Sequence, residues 1–427
     1  MVSGGIHATA RQSLNFVKKG LEIIMGIKIF LLGMLVIGIT FIGCDSGTTN
    51  GNRNEETLPI LFTIEEGTHI GRGTITISAT EAAAGTTINV SAISGTDYTF
   101  VGLTVTPTLT TVSTGSGNNR SFTMPANPIA ITATFVKDYG NGNGNGNVNV
   151  VGDSGGNAML WRNGVPQNLG TGMAHSVFVS GDNVYVAGNS GGNAMLWRNG
   201  VAQNLGPGEA RSVFVSGNNV YLAGMTAQSG GDAMLWRSGI AKNLQKEGSG
   251  SSAWSVFVSG NDVYVAGRLG FWQQPVIWKN GEILQNLGTT GTSVSVFVSD
   301  NNVYVAGTDA SWGNPTLWTN GTPQNLGMAG GRGNAHSAFV SGSDVYVAGS
   351  IEPTSSFDNV AMLWKNGVSQ KLELESDAIS VALSVFVFDN DVYVAGFSGV
   401  YATVWVNGEI QTLGQGRAMS VFVAQGK

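Results

Sequence analysis

Residues 175–205 read HSVFVSGDNVYVAGNSGGNAMLWRNGVAQNL, and variants of this unit fill the chain from Val148 to its last residues. Its landmark tryptophan recurs as Trp161, Trp197, Trp236, Trp278, Trp318, Trp364 and Trp405, at spacings of 36, 39, 42, 40, 46 and 41 residues. Each unit holds four short apolar strand patterns. Strand A is Ser176–Val179, B is Val184–Gly188, C is Ala194–Trp197 and D is Gln203–Leu205. Four strands repeated every ~40–50 residues make the blade of a β-propeller. The Arg-Asn-Gly that joins C to D is a strong hairpin signal, because Asn and Gly both tolerate positive φ. Strand A recurs at Phe178, Phe214, Phe257, Phe297, Phe339, Phe386 and Phe422, while the propeller begins at a B strand around Val150. The last A strand is therefore expected to pair with the first B strand and close a ring of seven blades without an open edge. The fold class is all-β.

The strand grammar resembles a kelch-type blade, with an apolar first strand, then Tyr-Val-Ala-Gly, then a later tryptophan. It departs from kelch in having one regular glycine (Gly188, Gly224, Gly267) instead of a pair, and in carrying its tryptophan on the third strand. The resemblance implies architecture and no particular function.

Working outward, residues 138–147 (Asp-Tyr-Gly-Asn-Gly-Asn-Gly-Asn-Gly-Asn) have almost nothing to bury and read as a linker. Before them, residues 59–137 alternate β-branched and polar residues, as in Gly73-Thr-Ile-Thr-Ile-Ser78 and Ile129-Ala-Ile-Thr-Ala-Thr-Phe135. Period-two alternation marks half-buried strands, so a small all-β module is expected. Its stretches Ala82–Val90 and Phe122–Ala126 resemble the divergent internalin-type B-repeat of bacterial surface proteins, which implies a spacer or adhesion element.

The start of the chain reads as an export signal over 1–44. Lys18, Lys19 and Lys28 precede the 14-residue apolar stretch Ile29–Ile42, short of the ~20 residues a membrane-spanning helix needs. Phe41-Ile42-Gly43-Cys44 resembles the relaxed lipobox of spirochaete lipoproteins. That resemblance implies cleavage before Cys44, lipidation of its sulfur (palmitate or a like acyl chain) and a bacterial envelope location facing periplasm or exterior. Cys44 is the one cysteine, which excludes an internal disulfide and a cysteine metal cluster. Residues 45–58 form a polar tether, and Met25 offers an alternative start that shortens the signal.

Charged residues make up 11% of the chain and its net charge is −6, so a basic nucleic-acid footprint is missing. HExxH, P-loop and dinucleotide motifs do not occur, and no metal, cofactor or catalytic residue is assigned. What differs between repeats is more informative. The A–B and C–D turns are uniform, whereas the B–C and D–A connections vary, and alternating strand direction puts both variable sets on one face. Variable loops on a rigid scaffold suit binding. The residue before strand A makes a ring at the channel mouth: His175, Arg211, Trp254, Val294, His336, Leu383 and Met419. Adding the loop aromatics gives the candidate ligand contacts His175, Arg211, Trp254, Phe271, Trp272, Trp312, His336 and Tyr401. A monomeric propeller holding a glycan or protein ligand is the expectation, with an envelope scaffold or a carbohydrate-active enzyme as alternatives.

Overall fold

The computed structural model describes residues 59–67, 69, 72–95, 98–107, 118–137, 146–227, 231–245, 250–270, 274–309, 313–327, 332–353, 359–374 and 379–425. The export signal, Cys44, the tether, Phe271, Trp272 and Trp312 lie outside them. Every element described is a β-strand.

The N-terminal module has seven strands: β1 (Leu61–Glu66), β2 (Gly73–Ile77), β3 (Glu81–Ala83), β4 (Thr87–Ser94), β5 (Tyr98–Thr106), β6 (Asn119–Thr123) and β7 (Ile129–Lys137). They form one sheet ordered β3-β1-β7-β5, with β1 and β7 parallel, and a second ordered β2-β4-β6. The alternation seen in sequence becomes alternation in burial. In β4, Ile88, Val90 and Ala92 point inward and meet Ile131, Ala133 and Phe135 of β7 in one core.

The propeller has seven blades, each built A to D from the axis outward. Blade 1 takes its strands B, C and D from Gly146–Ser154, Asn157–Arg162 and Val165–Thr171, and its strand A from the other end of the chain, Arg417–Gln425. Val421 lies opposite Val150 and Val423 opposite Val148, so the terminal strand closes the ring as the repeat phase predicts. The A strands of blades 2 and 4–7 are Met173–Ser180, Ser251–Ser259, Gly291–Ser299, Arg332–Ser341 and Ser380–Phe388. Between blades 2 and 3 one strand, Val201–Ser216, serves as D of the first and A of the second.

Two closed rings lock the blades together. Strand-A phenylalanines meet their neighbours at centroid separations of 4.6 to 4.8 Å, from Phe178 through Phe214, Phe257, Phe297, Phe339, Phe386 and Phe422 back to Phe178. A regular heptagon with that side puts each ring about 5.5 Å from the axis, within tilted-stacking distance of two partners. Serines make the second ring. Ser176 Oγ accepts the N–H of Val213 in the next blade, and Ser212, Ser255, Ser295, Ser337, Ser384 and Ser420 repeat the bond around to Val177. Each bond satisfies a strand-A amide that the blade's own ladder leaves on its inner edge.

The seven landmark tryptophans are at most 2% exposed and fill the space between sheets. Trp197, Trp278, Trp364 and Trp405 also donate their indole N–H to backbone carbonyls of the preceding blade. The Asn-Gly turns do more than reverse the chain. Asn199 and Gly200 take φ of 52° and 83°, and Asn199 Oδ1 accepts the amide of Val184, whose carbonyl accepts the Asn199 amide in return. That reciprocal pair ties each C–D turn to the start of strand B.

The variable face is itself divided. Blades 1, 2 and 7 join B to C by two-residue turns (155–156, 191–192 and 399–400) and run from D into the next A with hardly a break. Blades 3 to 6 carry the longer connections, the longest joining Lys371 to Ser380.

Candidate functional site

The channel-mouth ring read from the sequence coincides with a backbone irregularity. In blade 2 Ala174 pairs with Gly188 and Ser176 with Ala187, leaving His175 as an extra residue with no partner across the ladder. The same bulge isolates Arg211, Trp254, Val294, His336, Leu383 and Met419 in the other blades. A β-bulge re-aims the inserted side chain. All seven side chains are half-buried. They sit at the variable-loop end of strand A, three residues and so about 10 Å from the phenylalanine ring. Gly188 makes the bulge possible, because a Cβ there would fall 2.1 Å from the Met173 carbonyl oxygen. The single regular glycine of each repeat is explained by that close approach.

Chemistry is concentrated in the arc of blades 2 to 4. His175 Nε2 lies 2.9 Å from Glu209 Oε1 and 3.2 Å from Asn189 Oδ1. A carboxylate only accepts, so Nε2 carries the proton. Glu209 Oε2 accepts from Arg211 Nε at 3.0 Å and Nη2 at 2.8 Å. The His175 hydrogen bond, aided by Arg211 and opposed by partial burial, pulls the Glu209 carboxyl down to about 2. Arg211 then lies flat on Trp254, with Cζ 3.6 Å from the ring centroid, and its Nη1 is buried without a hydrogen-bond partner. Arg268, on strand B of blade 4 (Asp262–Leu269), approaches the same indole at 5.9 Å. Ser252 Oγ accepts from both Trp254 Nε1 and Arg268 Nε. Burial, then the like charge of Arg211, lowers the affinity of Arg268 for its proton. No carboxylate among the described residues pairs with Arg268.

On the opposite arc the bulge residues Val294, Leu383 and Met419 are apolar and His336 is polar, while beside them Arg417 Nε donates to Asp153 Oδ1 at 3.2 Å. Enclosure among the blades pushes the His336 imidazole down to about 4 while part of its surface still meets the channel. His175 and His336 stand on blades 2 and 6 and share no ligand site. Among the described residues, no group of three His, Cys, Asp or Glu side chains is placed to hold a metal.

The candidate contacts fall into separate groups. His175, Arg211 and Trp254 form one connected cluster, and His336 shares their ring. Trp254 belongs to a strand bulge, not to a loop. One face of its indole is covered by the Arg211 guanidinium. Tyr401 begins strand C of blade 7 opposite Ser398 and Gln415, on the short-turn side. Sequence reading missed Glu209 and Arg268. The signal for Arg268 was available, since it is the one cation after the regular glycine, where the other blades carry Asp153, Asn189, Met225, Thr308, Ser350 and Phe397.

Among curated proteins, none matches the chain. Solved structures similar to it include the extracellular domain of a putative one-component system from B. thetaiotaomicron, at 10% identity and TM-score 0.41, with 62% of this chain and 38% of that chain covered. A puromycin-hydrolysing peptidase from Mycobacterium tuberculosis gives 11%, 0.42, 63% and 53% in the same order, and the Dos1 propeller gives 12%, 0.39, 63% and 82%. The chain thus spans well under two thirds of the first two, and likenesses of this grade assign it no activity. Residues 66–139 match the Divergent InlB B-repeat domain. Residues 171–192, 207–226 and 250–271, which hold strands A and B of blades 2, 3 and 4, match the LVIVD repeat, while the kelch likeness rests on strand grammar alone.

Proposed function

We propose that the chain is a non-catalytic binding protein of a bacterial envelope, anchored by a lipid on Cys44, whose propeller takes a glycan or protein ligand at the variable-loop face. One observation carries the reading. The bulge turns one side chain per blade out of the hydrogen-bonded ladder at the channel mouth, and in blades 2 to 4 these side chains are polar, charged or aromatic. A rigid ring presenting individual residues at one end suits recognition. Glu209 suits it as well, because a carboxyl held near 2 and occupied by His175 and Arg211 cannot serve as a glycosidase's general acid, whose affinity for its proton must be raised.

The loop tryptophans supply the test. In a glycan array and a pull-down, the Trp272→Ala/Trp312→Ala double variant is expected to lose binding that the intact protein shows. Unchanged binding removes the loop face from the reading. Labelling with a palmitate analogue tests the anchor, and Cys44→Ser is expected to abolish the label.

A scaffold role is a second reading, favoured by the rim. The outermost D strands expose Val201, Ile240 and Val368, each at more than 70%. Exposed apolar residues on unpaired edge strands are surfaces on which another chain docks.

A further inference from the structure

The charge at the channel mouth does not balance. Two guanidiniums flank one indole, and the single carboxylate of the cluster, Glu209, is committed to Arg211 and His175. Among the described residues Arg268 has one side-chain acceptor, the neutral Ser252 hydroxyl. Arg211 keeps one guanidinium nitrogen unbonded. In a chain of net charge −6, this leaves a local excess of one positive charge in a half-buried place. Holding like charges together away from water is unfavourable, and a carboxylate of matching fork geometry relieves it.

We propose that the mouth of the channel at blades 2 to 4 is a carboxylate-binding site, with Arg268 as its principal donor, and that the carboxylate belongs to an acidic sugar of the uronate class. The inference rests on the binding reading above and deepens it. A bound anion pairs with Arg268, while Arg211 adds charge beside it, held in place by Glu209 and the Trp254 face. Trp254 acts here as a positioning residue that holds Arg211 against its indole.

The choice of a sugar follows from the acceptors beside these donors. Glu209 is a quarter exposed, and its two oxygens have lone pairs beyond the three bonds they accept. Asn189 Oδ1 is a further acceptor at the same rim. A uronate carries ring hydroxyls that donate to such acceptors next to its carboxylate, whereas the end of a peptide brings the carboxylate without them. The site thus asks for an anion and hydroxyl donors on one small frame.

Calorimetric titration of the full-length protein with trigalacturonate and with its fully methyl-esterified form tests this directly, since the two differ in charge and little else. The intact protein is expected to bind the acid at least tenfold more tightly, with the preference shrinking as salt is raised. Arg268→Gln, with an unchanged melting temperature, is expected to erase the preference. Arg268→Lys, which keeps the charge and loses the fork, is expected to retain part of it. Equal binding of the two sugars, binding of neither, or a preference that survives Arg268→Gln overturns the proposal. Tighter binding of triglycine, with its free terminal carboxylate, than of trigalacturonate overturns the sugar assignment. If neutral glycans bind and the Trp272→Ala/Trp312→Ala variant loses them, the loop-face reading stands while the carboxylate site falls.

Discussion

Strand A carries two rings three residues apart, and they obey different rules. At the phenylalanine ring the same side chain occurs in all seven blades, and each ring touches two others. At the bulge ring the residues are His, Arg, Trp, Val, His, Leu and Met. The phenylalanine belongs to the regular ladder, where its direction is set by the pleat and its space by both neighbouring blades. The bulge residue has left that register, so neither the ladder nor the adjacent blade dictates its identity. Uniformity marks where the ring must mesh, and variety marks where the fold makes no demand.

The largest expected effect comes from breaking the uniform ring. Phe257→Ala removes a side chain packed between Phe214 and Phe297 at 4.8 and 4.7 Å. A half-exposed phenylalanine sits at the low end of the ~3–5 kcal/mol range for such truncations, so a loss of about 3 kcal/mol is expected. Chemical denaturation of the variant checks it. A loss below about 1 kcal/mol would mean the ring is decorative, and the contrast with the bulge positions would collapse.

A smaller effect, dependent on pH, distinguishes the two sides of the bulge ring. His336 is held at about 4 against an ordinary 6.5 by desolvation. The unfolded chain therefore takes up this proton first. The stability His336 permits is complete above 6.5 and falls as pH drops towards 4, by about 2 kcal/mol at pH 5. Glu209 acts in a lower window. Its depressed carboxyl contributes above about 4.5, and that contribution is lost as pH falls through about 2. His336→Asn is expected to flatten the stability profile between pH 6.5 and 4 and to leave the loss below 4.5 in place. An unaltered profile would show that His336 is solvated.

How much of this was legible follows from which interactions are local. The seven tryptophans, the Asn-Gly turns and the closing strand are written in short repeated segments with their own periodicity or turn chemistry. Their placement could be read before any coordinate. The ring of residues before strand A was legible as a set of positions, because it is the column where the repeats disagree. The bulge was not, since it is a mismatch in pairing count between two strands and belongs to neither alone. Its one trace, the regular glycine at Gly188 and its equivalents, reads equally well as a strand end. Glu209 and Arg268 stayed hidden for a related reason. Glu209 meets His175, and Arg268 feels Arg211, across blade boundaries, and sequence spacing carries no record of which loop-end residues face one another. Trp254 shows the cost: its break in register is visible in the sequence, and the guanidinium covering one face of its indole is not.

The smallest effect tests the comparison from its other side. Leu383 occupies the bulge of blade 7 and is as half-buried as Phe386, three residues along the same strand. Both are apolar, so exposure alone predicts similar losses when each is cut to Ala. The pairing argument predicts otherwise. Phe386 stacks on Phe339 and Phe422 at 4.8 and 4.6 Å, whereas no ring contact or ladder partner holds Leu383. Leu383→Ala is expected to cost under about 1 kcal/mol, near the value for a site whose surroundings relax into the space. A measured loss equal to that of Phe386→Ala would mean the bulge ring is packed as tightly as the ring below it. Its variety would then reflect seven separate packing solutions, and the freedom to recognise a ligand would have to be sought in the loops.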